Sequence, residues 1–344
     1  MLPAVHLERD AERVEEIELL AASAGGRVGL EGVLGDLSRR GRRQPAPGRA
    51  VRWAVALGLR DSLTLRWWPQ GITTSADRSD EETFEGRQVV LTSSYAKRLR
   101  GVGHGSRLTV FDVTDRSRVR YQHVLLVEVV ATDGVPVLRP VPIHAGGIVW
   151  HGSFVHVAGT ARGLFTFKPD DVVRLEEPLY GHRYVLPMRY RYRAVTGDGE
   201  QRLRYSFLSL DRTGAEHQLV AGEYGRGDQT TRVIRYAMDP ATGLLSTDPA
   251  GASRPRSLDI SGIEQMQGVV SVEGDLFVTQ SLGRRRRGSL WVGRAGAFTE
   301  HPHALPQGPE DLCYWPSRNE LWCVSEHPLL RYVFAVDRPP SERS

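Results

Sequence analysis

Residues 262–281 read GIEQMQGVVSVEGDLFVTQS, two short apolar runs separated by the polar turn Glu273-Gly274-Asp275. Alternating apolar residues on either side of a glycine-containing turn read as an antiparallel hairpin. Just ahead of the first run stand Glu264, Gln265 and Gln267, set against Gly268. Polar side chains packed against a glycine at the mouth of a buried strand need a reason, and the rest of the chain supplies one.

The same grammar recurs. PQGITTSADRSD with RQVVLTSSYAK, AGGIVWHGSFVHVAGTARG, RYSFLSLDRTGAEHQLVAGEYGRG, MQGVVSVEGDLFVTQSLGRRRRG and PEDLCYWPSRNELWCVSEHP each hold an apolar strand, a polar turn and a second strand. A third strand follows each time: SRLTVFDVTD, GLFTFKPDD, TRVIRYAMD, GSLWVG and RYVFAVDR. Three short antiparallel strands per unit, with room for a fourth, is the pattern of a propeller blade. YQHVLLVEVV and GHRYVLPMRY serve as fourth strands, with Pro187 placed on a free outer edge. SLTLRWWPQG, residues 62–71, is the expected fourth strand of the last unit, closing the ring from the N-terminal side. The expected fold is all-β, a single β-propeller of five blades, or six if residues 181–205 hide another unit.

Composition agrees with a globular chain. The 344 residues are 40% hydrophobic and 25% charged, and no apolar run approaches the length of a membrane-spanning helix. The net charge of +4 comes almost wholly from arginine, because Lys97 and Lys168 are the only lysines. Residues 1–50 read as an N-terminal extension, a helix over 9–24 followed by an Arg/Pro-rich linker. Residues 51–338 are the propeller and 339–344 a disordered tail. With no convincing leader at the N-terminus, the expected location is cytoplasmic, with secretion if the true start is internal. Cys313 and Cys323 lie on the two strands of one hairpin, so the alternatives are a cross-strand disulfide or two buried thiols.

In a propeller the innermost strand of each blade lines a central channel. Stacking the five units places Gln70, Gly146, Tyr205, Gln267 and Glu310 at equivalent channel-mouth positions, with His144, Glu264, Gln265 and Asp311 close by. Glycine after these positions lets the backbones crowd, since a Cβ would collide. The loops between second and third strands bring arginine to the same face: Arg98, Arg100, Arg162, Arg226, Arg284 to Arg287 and Arg331. Acids and amides ringed by guanidinium groups suit an anionic or polyhydroxylated small molecule, or a protein partner.

WWPQGITTSADRS, HAGGIVWHGSFVHVAGTARGL and LPQGPEDLCYWPSRNELWCVSEHP resemble a family of uncharacterised actinobacterial β-propeller proteins, over roughly residues 60–338. More remotely the chain is similar to propeller lactonases of the regucalcin and gluconolactonase kind. That resemblance implies a divalent cation at the channel mouth, held by Glu, Asn and Asp from several blades. Asn319, the only asparagine, sits in a turn expected at the opposite face, so the pattern is broken there.

The chemical candidates follow. Glu310 and Asp311 are adjacent acids at a channel position, and with Glu264 they form an oxygen-rich set suited to Ca²⁺. Glu310, Asp311 and His144 are the candidate catalytic groups. Gln70, Glu264, Gln267, Tyr205, Arg162, Arg226 and Arg285 are the candidate ligand-binding groups. The alternative to a binding protein is a metal-dependent lactonase or esterase-like hydrolase. No membrane partner is expected, a groove-reading element for nucleic acid is missing, and the expected state is a monomer.

Overall fold

The computed structural model describes residues 4–99 and 101–340, and among these the structure is mostly β. Five antiparallel arrays of four strands account for most of it. The first runs Trp67–Thr74, Val89–Ala96, Ser106–Asp112, Arg120–Thr132. The second runs Ile148–His151, Phe154–Ala158, Leu164–Phe167, His182–Thr196. Phe207–Asp211, Gln218–Gly222, Arg232–Ala237 and Pro255–Ile260 form the third. Met266–Val272, Asp275–Gln280, Gly288–Arg294 and Ala297–Leu305 form the fourth. The fifth is Pro309–Trp315, Glu320–Ser325 and Tyr332–Asp337, completed by Val51–Ala56 from the N-terminal side.

Two expectations about edges need correction. The closing strand is Val51–Ala56, paired Tyr332 to Ala56 and Ala335 to Trp53, and not residues 62–71. Residues 67–74 already form the first strand of the first array. Pro187 is also not on a free edge. Tyr184 to Pro187 run parallel to Val124 to Val127, which joins the first two arrays into one sheet. At Met188 the strand switches to its antiparallel partner Phe167, and the proline stands at that switch, just beyond an irregular register. Residues 182–196 are thus a single long strand of the second array.

The apolar faces meet in cyclic order. Leu91, Leu126, Trp150, Phe167 and Leu186 fill the space between the first and second arrays. Val149, Tyr192, Leu208 and Ile234 do the same between second and third, and Phe207, Val233, Val269 and Val278 between third and fourth. Phe277, Leu290, Leu312 and Phe334 pack fourth against fifth. Trp53, Trp315 and Trp322, with ring centroids 5.2 Å apart in each neighbouring pair, join Ile72 and Phe111 between fifth and first. Every array therefore buries both faces, which explains strands that read as nearly continuous apolar runs.

The N-terminal segment packs on this body. Val5–Arg9 pairs with the His182–Thr196 strand. Helix α1 (Val14–Ser23) buries Leu20 and Ala21 against Trp67, Leu125 and Val185. Helix α2 (Gly29–Gly35) adds Leu30, Val33 and Leu34 to the core between the first two arrays. No helix of the described residues is long and apolar enough to cross a membrane.

The two cysteines are free and buried. Cys313 pairs with Trp322 and Cys323 with Leu312, adjacent rungs of one ladder, so their side chains leave opposite faces of the array. Cys313 lies among the tryptophans and Cys323 against the fourth array.

At the centre the first strands approach so closely that several positions admit no side chain. A Cβ on Gly268 would lie 2.6 Å from Leu312 N and 2.8 Å from Asp311 Cα. One on Gly147 would lie 2.0 Å from Leu208 N. Gly268→Ala is expected to cost about 1–3 kcal/mol in chemical denaturation because the backbone must shift to admit the methyl. Gly214→Ala, whose Cβ would find only Glu216 O at 3.9 Å, serves as the control. Equal midpoints for the two variants would contradict the close approach.

Candidate functional site

Three of the five first strands break register at the same place. The irregularity falls between Pro69 and Ile72 in the first array, Met266 and Gly268 in the fourth, and Pro309 and Leu312 in the fifth. A bulge leaves an extra residue out of the ladder and re-aims its side chain. Those residues are Gln70, Gln267, Glu310 and Asp311, which is how side chains from distant parts of the chain come to one mouth.

Gln267 Nε2 donates to Glu310 Oε1 at 3.2 Å, and Gln70 Nε2 donates to Glu326 Oε2 at 3.4 Å and to Pro69 O at 2.7 Å. Tyr95 and His144 meet edge-to-face, centroids 4.5 Å apart. Lys97 Nζ lies 3.2 Å from the Trp68 ring centroid, and Trp68 meets the His327 ring edge-on. His327 Nδ1 is 3.4 Å from Glu326 Oε1. Beside this group a cavity of about 520 Å³ is lined by Tyr95, Arg98, Pro142 and His144.

Electrostatically the mouth is tense. Burial, reinforced by the charges of Glu326 and Asp311, pushes the Glu310 carboxyl well above the usual carboxylate range. Burial also raises Glu326, against the opposing pull of Lys97, Gln70 and Arg331. The Tyr95 phenol is raised by burial and by both glutamates, and Tyr224 by burial, with Glu310 and Glu326 adding to it. His144 stays open to water, yet the protein around it lowers its pKa. Neutral carboxyl and phenol groups both donate and accept hydrogen bonds, so the mouth presents mixed donors and acceptors.

Asp311 lies deeper and is fully buried. Its Oδ2 accepts from Ile72 N and Ile148 N, both at 3.3 Å, while Oδ1 has no hydrogen-bond partner. Burial pushes this carboxyl well upward too. It binds the first, second and fifth arrays together at the channel centre.

The remaining candidates are distributed as follows. Glu264 is exposed, and its backbone carbonyl receives Gln280 Nε2 at 3.0 Å. Among the described residues no three His, Cys, Asp or Glu side chains assemble as a metal-sized cluster, so Glu264, Glu310 and Asp311 do not form one cation cage. Tyr205 is buried in the core between second and third arrays, its hydroxyl 2.8 Å from that of Tyr236. The residue facing Gly146 is instead Ser206. Arg162 reaches the Pro142 carbonyl beside the cavity, and Arg226 is exposed near Tyr224. Arg285 is exposed within the run Arg284 to Arg287. Arg331 is not on the rim: it is 1% exposed and donates to Asp61 O at 2.7 Å and Glu326 O at 3.0 Å. Arg100 lies outside the described residues.

Sequence reasoning passed over Glu326, Tyr95, Lys97 and Tyr224. A signal existed in the hairpin register. Ser325 pairs with Pro309 and Tyr95 with Trp68, so the ends of second strands must share the mouth with the starts of first strands. Another constellation has catalytic residue types and no access. Thr109 Oγ1 is 2.9 Å from His123 Nδ1, and His123 Nε2 is 3.1 Å from Asp61 Oδ1, but all three are buried. Burial, with the Arg107 charge, brings the His123 pKa down to about 3, and Tyr121 OH donates to Asp61 Oδ2 at 2.7 Å. This network braces the wall between the fifth and first arrays.

No protein-family model matches the chain, and neither does any curated protein. Among solved structures the chain is similar to a gluconolactonase from Xanthomonas campestris, with 13% identity, 89% of this chain and 90% of that chain covered, and a TM-score of 0.38. It is similar to the β-propeller domain of Cps50 (Swd1) from Myceliophteria thermophila, at 9% identity, 85% and 99% coverage and a TM-score of 0.40. A third similarity is to a GH43_1 enzyme from Xanthomonas citri in complex with xylose, at 13% identity, 81% and 90% coverage and a TM-score of 0.38.

The buried carboxyl at position 310 makes a test in pH. Its folded-state pKa lies above the ordinary 4.5, so the stability it contributes is complete below that value and is lost as pH rises through the folded value. Glu310→Gln keeps the shape without the charge. It should melt above wild type at about pH 8 and level with it near pH 4. A gap between the two proteins that does not grow with pH would contradict a desolvated carboxyl.

Proposed function

We propose that the five arrays are the blades of one five-bladed propeller, and that its bulged mouth binds a polyhydroxylated or anionic small molecule. The observation that carries this reading is the convergence of Gln70, Gln267, Glu310 and Glu326 from three arrays, paired amide to carboxyl. Such pairs present fixed donors and acceptors at a concave, partly dry surface, the arrangement that reads hydroxyl groups. Tyr95, Tyr224 and His144 supply ring edges and faces for a sugar-like body. Exposed Arg98, Arg226 and Arg284 to Arg287 favour a ligand that also bears negative charge.

The test is calorimetric titration with neutral sugars, sugar acids and sugar phosphates. Gln70→Ala combined with Gln267→Ala should weaken a ligand found this way by about tenfold or more, at roughly 1 kcal/mol for each hydrogen bond lost. Unchanged affinity in that variant would move the ligand away from the mouth.

A second reading is hydrolysis of such a ligand, favoured by two mutually repelling carboxyls whose environments differ. Glu310 is enclosed and pushed to the neutral form, while Glu326 is held closer to ionisation by Lys97 and Arg331. Two neighbouring carboxyls, one raised strongly and the other drawn back toward ionisation by cations, form the kind of unequal pair that general acid–base catalysis uses. Chromogenic glycosides and lactones test it. Turnover should fall about 100-fold in both Glu310→Gln and Glu326→Gln. Its metal-dependent form is tested by melts with EDTA and with Ca²⁺, because a cation bound only by the folded state raises the midpoint. A shift that disappears in Glu310→Ala supports it, and identical midpoints remove it.

A further inference from the structure

The rim beside the mouth carries an apolar ridge that the small-molecule reading does not use. Helix α3 (Leu59–Leu63) and the turn after it expose Leu59 by 61%, Leu63 by 48% and Leu65 by 63%. Leu99 and Val102 are exposed on the turn that follows Val89–Ala96, and Leu329, 58% exposed, lies on the turn before Tyr332–Asp337. These six are more than half of the large apolar side chains left exposed among the described residues.

They belong to one surface. Leu329 N donates to Ser62 O at 2.9 Å, which ties the third turn to α3. Lys97 N donates to Arg66 O at 2.8 Å, and Arg66 Nη1 donates to Val102 O at 3.4 Å, which ties in the second. The ridge stands next to the mouth, because the Trp68 indole donates to Leu65 O at 2.9 Å and Glu326 lies three residues before Leu329. Exposed apolar side chains gathered in this number on neighbouring turns mark a docking face.

Its charge selects the partner. Arg60, Lys97 and Arg98 are exposed among the leucines, and the run Arg284 to Arg287 is exposed close by, with Arg284 near enough to hold down the His327 pKa. The two acids of these segments do not face outward. Asp61 is buried under Tyr121, and Glu326 turns into the mouth toward Gln70. The outward charge of the described residues in these segments is thus wholly positive.

We propose that this face docks on the surface of an anionic lipid bilayer. The apolar side chains stand apart on α3 and on three separate turns. A fluid interface accepts such discontinuous tips, whereas a folded partner requires a matched surface. Leucine side chains enter the boundary between headgroups and acyl chains while long basic side chains stay at the phosphates. Each basic residue near an anionic surface strengthens binding roughly fivefold at low salt. The apolar side chains take no part in binding the proposed mouth ligand, although Arg98 and Arg284 to Arg287 border both surfaces.

The experiment is co-sedimentation of the full chain with vesicles of phosphatidylcholine alone and of phosphatidylcholine with phosphatidylglycerol. Binding is expected only to the second and should weaken as salt is raised. Leu63→Ser with Leu329→Ser should reduce the bound fraction about tenfold. Arg60→Ala with Arg98→Ala should weaken binding to the phosphatidylglycerol vesicles about 25-fold. Both side-chain pairs are exposed, and melting curves establish that the variants are folded. Binding to neither vesicle, equal binding to both, or anionic binding indifferent to the leucine substitutions overturns the proposal. So does a lipid-free dimer that the leucine substitutions convert to monomer, which would assign the ridge to a second copy of this chain.

Discussion

A single carboxyl group, that of Asp311, holds the centre of the molecule. Its Oδ2 accepts the backbone N–H groups of Ile72 and Ile148, one from the first array and one from the second, while its own strand belongs to the fifth. Backbone donors of the first strands are deeply buried where these strands crowd together, and a buried donor without an acceptor costs about as much as a lost hydrogen bond. One short acidic side chain answers two of them. The cost is carried by the carboxyl, which burial pushes well toward its neutral form.

Crowding and function are consequences of the same geometry. Because Gly71, Gly147 and Gly268 have no Cβ, neighbouring first strands close to distances at which a methyl would meet backbone atoms. The centre is thereby packed at the level of Asp311, with the mouth on one side of it and, at the far ends of the first strands, a cavity lined by Asp77, Arg212, Glu273 and Tyr314 on the other. At the mouth the bulges turn Gln70, Gln267 and Glu310 toward one another, and the ends of the paired strands add Tyr95 and Glu326. The raised carboxyls of the mouth are a product of this enclosure. Glu310 has protein on nearly every side and a second glutamate as neighbour, while Arg331, spent on the carbonyls of Asp61 and Glu326, brings positive charge to only one of them.

The wall between the fifth and first arrays shows how closure is achieved. Val51–Ala56 adds the last strand to the fifth array and brings Trp53 against Trp322, which in turn meets Trp315. These large rings fill the seam where the two ends of the repeat meet, and the Asp61–His123–Tyr121 network braces it with polar contacts. Residues 62–71 and Val51–Ala56 resemble each other locally, since both are short, largely apolar and carry tryptophan. Their pairing partners and one local feature distinguish them. Residues 67–74 carry the Gln-Gly pair of a first strand, and Val51–Ala56 does not.

The strand grammar was legible without coordinates because alternating apolar runs and polar turns are local properties, and they located all five hairpins and their third strands. The position of the mouth was legible as well, since a glycine following a polar residue at repeating positions implies backbones that crowd. What the sequence could not decide were relations between segments far apart in the chain. The one-residue offset that sends Cys313 and Cys323 to opposite faces is a matter of ladder register. The burial of Tyr205 and Arg331, the exposure of Glu264 and the arrival of Glu326 beside Gln70 depend on where bulges fall and which arrays touch. Local pattern determines that a residue lies on a strand or at its end. Whether its side chain meets water, core or a second carboxyl is decided only when the strands close on one another.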